Sequence, residues 1–69
     1  MITWKVLTPD ELIPNDNIVA FGSSPKARYT IHSCDLKGRT YYWVYNETDL
    51  KVHEGRFYGS IDKVITEIE

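Results

Sequence analysis

Two stretches decide the fold: Lys26-Ala-Arg-Tyr-Thr-Ile-His-Ser33 and Arg39-Thr-Tyr-Tyr-Trp-Val-Tyr-Asn46. In the first, Ala27, Tyr29 and Ile31 point one way and Arg28, Thr30 and His32 the other, the period-2 alternation of a half-buried strand. The second is rich in aromatic and β-branched residues, which fit a pleated surface. Asp35-Leu-Lys-Gly38 supplies turn chemistry between them, so the pair reads as an antiparallel hairpin.

Working outward toward the N-terminus, Gly22-Ser-Ser-Pro25 reads as a turn and Asn17 to Phe21 as a short strand. Ile2, Trp4 and Val6 alternate with Thr3 and Lys5, a further strand. Thr8 is placed to cap a helical turn from Pro9 to Ile13, with Glu11 closing a capping box and Pro14 ending it. Toward the C-terminus, Asn46-Glu-Thr-Asp49 reads as a turn and Leu50 to Glu54 as a strand. Ser60 is a good N-cap, and Ile61, Val64, Ile65 and Ile68 form one apolar stripe at helical spacing. Glu67 and Glu69 lie at the negative end of that helix dipole, which predicts a frayed last turn.

The expected fold is therefore α+β: a four- to five-stranded, mainly antiparallel meander with one C-terminal helix packed on one face, residues 1–69 forming a single small domain. The expected core is Trp4, Val6, Ile18, Ala20, Tyr29, Ile31, Val44, Val52, Ile61, Val64, Ile65 and Ile68.

A chain of 69 residues buries about 60% of the surface its unfolded form exposes, leaving little room for both a core and a deep pocket. Nine aromatics (two Trp, five Tyr, two Phe) within a 42% hydrophobic composition make a core without staples feasible. Cys34 is the single cysteine, which excludes an intramolecular disulfide and fits a reducing, cytoplasmic setting. No apolar run approaches the length of a membrane span, and no signal peptide is apparent, so no membrane role is expected. Net charge is −2, but residues 26–56 carry Lys26, Arg28, Lys37, Arg39, Lys51 and Arg56 against four acids, a local +2.

No catalytic constellation stands out, and the chain is expected not to be an enzyme. Cys34 with His32 or His53 lacks an orienting third group, and Glu47, Asp49 and Glu54 cluster around turns where solvated charge is normal. Gly22-Ser-Ser-Pro25 lacks the glycine spacing and lysine of a phosphate loop. His32, Cys34 and Asp35 make only one ligand pair, short of a zinc site, so neither metal nor cofactor is expected.

Binding is the better-supported class. Tyr41, Trp43 and Tyr45 share one strand face, and a single helix covers only one face of a sheet. Exposed aromatics flanked by Arg28 and Arg39 have the composition of a protein-binding hot spot. The expected function is a small non-catalytic protein-binding module, an inhibitor or accessory factor of the kind phages and mobile elements encode. Its partner would be another protein or, through the same surface, a second copy as a homodimer. The alternative is nucleic acid: Arg28, Thr30 and His32 beside an aromatic strand, with Lys37 and Arg39 at the hairpin tip, suit base stacking or groove entry. Gly38 to Asn46, a further strand, Phe57 and a helix from Ser60 are similar in outline to the arm-binding domains of phage-type integrases, over about half of the chain. The basic run usual in such domains is missing, with Glu54 standing where lysine would be expected.

Overall fold

Lys37 and Gly38 turn the chain with φ of 51° and 80°. Positive φ at both central residues is the type I′ geometry, whose twist matches that of the flanking strands. The turn is thus two residues long, not the four that composition suggested, and the strands run right up to it. In the computed structural model, which describes all of residues 1–69, the order is β1 (Thr3–Val6), a 3₁₀ turn (Pro9–Glu11), β2 (Ile18–Ser23), β3 (Arg28–Leu36), β4 (Arg39–Asn46), β5 (Lys51–Val52) and α1 (Ile61–Ile68). The five strands form one antiparallel meander in the order β1-β2-β3-β4-β5, with α1 on one face.

The expected elements are all present, with shifted bounds. β2 continues through Gly22 and Ser23 because the turn is organised two residues later, from Ser24 to Ala27. The Ser24 Oγ accepts from the N–H groups of Lys26 and Ala27, and the Ser24 N–H donates to the Ala27 carbonyl. The N-terminal helical turn stops at Glu11 rather than Ile13. There the Glu11 carboxylate accepts from the Thr8 N–H and hydroxyl, each at 3.0 Å, and meets Lys5 Nζ at 2.9 Å. Those bonds, the backbone N–H first, pull its pKa down to about 2. β5 shrinks to two residues because Leu50 and Glu54 adopt left-handed φ of 57° and 53° and leave the ladder.

The core lies between α1 and the face of the sheet that carries Ala20, Ile31 and Val44, neighbours across three strands. Val64 descends onto them, with Ile61 and Ile68 alongside, as the apolar stripe requires. Tyr58, absent from the expected core, is buried there and bridges to Tyr42 through two backbone hydrogen bonds of 2.7 and 2.8 Å. Four expected core residues lie outside this cluster, of which Ile65 stays half-buried on α1. Val6 is exposed at the edge strand, and Val52, opposite Tyr45, is exposed on the far face. A bulge between Ile18 and Ala20 places Ile18 opposite His32, also on the far face, and brings Val19 against the core. Asn46 is buried but satisfied: its Oδ1 accepts from the N–H groups of Thr48 and Asp49, and its Nδ2 donates to Asp49.

Ser60 caps α1 by accepting from the Lys63 N–H at 3.2 Å. The end of the helix is tied down rather than frayed. The Glu69 N–H donates to the Ile65 carbonyl, and the Glu69 carboxylate accepts from the Ile2 N–H at 2.9 Å, so a residue read as unfavourable to the dipole clasps the helix to the N-terminal segment. No helix is long and apolar enough to cross a membrane.

Trp4 lies over Gly22, where an added Cβ would come within 2.6 Å of Trp4 Cζ3. Gly22→Ala would gain about 0.4–1 kcal/mol from a stiffer unfolded chain. Displacing the ring costs about 1–3 kcal/mol, so the variant is expected to melt several degrees lower, measured by circular dichroism. Leu50 is 73% exposed in its left-handed conformation, so its side chain returns little burial for the strain. Leu50→Asn is expected to raise stability by about 1 kcal/mol in urea titrations, since asparagine tolerates that backbone.

Candidate binding face

Strand register assigns each side chain to a face. Thr30 opposes Phe21 and Tyr45, His32 opposes Ile18 and Trp43, and Cys34 opposes Tyr41. Tyr41, Trp43 and Tyr45 therefore share a face with Arg28, Thr30 and His32, the side of the sheet that α1 does not cover. All five residues singled out from the sequence lie on it. The three aromatics are half-buried, while Arg28 and Arg39 are exposed. The arginines stand at opposite ends, about 27 Å apart at the usual rise per strand residue, so they bracket the face lengthwise.

The middle of this face is ordered by polar and stacking contacts. Thr30 is buried, and its hydroxyl lies 2.8 Å from His32 Nε2. The His32 ring stacks on Trp43 with centroids 4.1 Å apart and planes 10° from parallel. Burial lowers the His32 pKa, against the opposing pull of Asp16 and Glu47. His53, which the sequence left as a distant companion of His32 and Cys34, contacts Tyr29 on the helix side instead. No cluster of three or more His, Cys, Asp or Glu side chains converges anywhere in the chain.

Several residues of the face were not singled out from the sequence. Phe21, Leu36, Val52 and Phe57 are 39%, 47%, 41% and 56% exposed, which makes this side of the sheet unusually apolar. Leu36 falls in Asp35-Leu-Lys-Gly38, whose composition reads as a turn. Counting the alternation from Arg28 through to Leu36 would have placed it beside His32 and Cys34. Phe57 precedes the Tyr58 bridge in an irregular segment, where no periodicity gives a side chain's direction.

Phe57 divides two hollows. A cleft of about 460 Å³ is lined by Leu36, Lys37, Arg39, Tyr41 and Phe57, and a smaller one of about 310 Å³ by Trp43, Val52, Gly55, Arg56 and Phe57. None of the strand residues on this face carries a carboxylate. Glu11 meets it at Lys5, and the charges of Asp16 and Glu47 act on His32 from its margins. In comparison with known proteins, no family model, no curated protein and no solved structure matches the chain.

Because the folded state lowers the His32 pKa, the unfolded chain binds the extra proton more readily. The stability contributed by neutral His32 is complete above its ordinary value of 6.5 and is lost as pH falls through the lowered one. Urea titrations between about pH 7.5 and about pH 5 are expected to show a fall in stability that His32→Gln reduces. An equal fall in both proteins would place its origin in other groups.

Proposed function

We propose that the protein is a non-catalytic protein-binding module acting through the face of the sheet opposite α1. One observation carries this reading: a face with Tyr41, Trp43 and Tyr45 at its centre and Phe21, Leu36, Val52 and Phe57 exposed around them has no second layer above it. Large exposed apolar patches on small proteins mark interaction sites. Aromatic side chains ringed by arginine are the composition of interface hot spots. Half-buried aromatics suit that role, because neighbours already hold their rotamers and less side-chain entropy is lost on docking.

A small inhibitor or accessory factor acts in this way, by occupying a surface of another protein. The nucleic-acid reading draws on the same aromatics and cations but has fewer means. Arg56 lies within 4 Å of carboxylates of Glu54 and Glu67, and Lys5 is paired with Glu11, while the unpaired strand cations of the face, Arg28 and Arg39, stand at its opposite ends rather than along a phosphate path.

Affinity capture from a lysate of the source organism, with and without nuclease, tests the proposal. Wild type is expected to retain a discrete protein in both lysates, and Phe57→Ser to lose it while keeping a wild-type circular dichroism spectrum. Capture that disappears with nuclease, or that Phe57→Ser leaves intact, would overturn it.

A further inference from the structure

Lys37 and Arg39 stand on the rim of the larger cleft, whose other walls are Leu36, Tyr41 and Phe57. Two adjacent cations beside three apolar side chains, with no carboxylate in the lining, select for an occupant with apolar and anionic parts close together. We infer that the cleft receives a segment of the partner protein in which an apolar side chain is flanked by Asp or Glu. The inference rests on the protein-binding reading and names the chemistry of the partner within it.

The hairpin tip is built for this task. The type I′ turn places Lys37 and Arg39 on either side of Gly38, while Leu36 and Arg39 pair directly across the strands. Both cations are exposed, and neither forms an ion pair within the chain. The apolar walls also distinguish among anionic partners. A nucleic acid gains most of its affinity from phosphates along an extended path, and here Lys37 and Arg39 are grouped at one end of the face with Arg28 alone at the other, so no continuous row of cations runs along it. A cleft of about 460 Å³ suits an inserted side chain and its neighbours. A second copy docking face to face would offer Lys37 and Arg39 no strand carboxylate, whereas an acidic segment pairs with both.

The test is selection from a displayed library of random peptides on immobilised wild-type protein, read by sequencing, with the folded variants Lys37→Glu/Arg39→Glu and Phe57→Ser in parallel. Peptides enriched on wild type are expected to combine an apolar residue with neighbouring Asp or Glu. Charge reversal should weaken a synthetic representative about tenfold or more, and its amide-resonance shifts should centre on Leu36 to Tyr41 and Phe57. Enriched peptides without acidic bias, lost with Phe57→Ser but kept by the charge-reversed variant, would overturn the acidic partner and leave the binding face standing. No peptide enrichment together with tight binding of oligothymidine would overturn both readings. Sedimentation of wild type as a dimer that Phe57→Ser dissociates would replace the acidic segment with a second copy.

Discussion

One eight-residue helix can keep water from only one side of a five-stranded sheet. Everything about this protein follows from where that limited cover is spent. Val64 closes over Ala20, Ile31 and Val44, and Tyr58 fills the space beside them; these five side chains are the buried core. The helix is short enough that its attachment matters at both ends. Ser60 fixes its start, and the clasp between Glu69 and Ile2 fixes its finish against the opposite edge of the sheet. Trp4 extends the cover past the helix by lying flat over Gly22, a position where any larger residue would lift the ring.

The charge distribution is organised around the same division. The acids of α1, Asp62 and Glu67, lie on the covered side, while Asp35 faces away from the aromatics and accepts from Thr40 at 2.8 Å. The mild positive excess of residues 26–56 becomes spatial once β3 and β4 pair. Alternation then sends Arg28 and Arg39 to the side whose strands carry no carboxylate. A slightly acidic chain thus presents one face whose strand charges are all positive.

The parts of this layout that depend on periodicity were readable in the chain. Arg39–Asn46 alternates so clearly that its bounds and its two faces follow from composition, as does the helix from Ile61, Val64, Ile65 and Ile68. The parts that depend on local backbone choice were not. Lys37 in a left-handed conformation is a departure from residue preference that only the paired strands impose, and it sets the register that stacks His32 on Trp43. The bulge at Ile18 and the left-handed residues Leu50 and Glu54 on either side of β5 likewise redirect side chains without a compositional sign. For that reason Tyr41, Trp43 and Tyr45 could be named in advance, whereas Phe57, the most exposed aromatic of the face, could not.

The meander has a kinetic meaning as well. Every strand lies beside its neighbour in sequence, and β3 meets β4 across Lys37 and Gly38 alone. Closing so short a loop costs little chain entropy, and local pairings of this kind form before distant ones must be found. The central hairpin can therefore zip on its own timescale, with β2 and β5 adding from either side. Only the arrival of α1 and its clasp to Ile2 joins segments far apart along the chain, so the covered face is sealed by the step of longest reach.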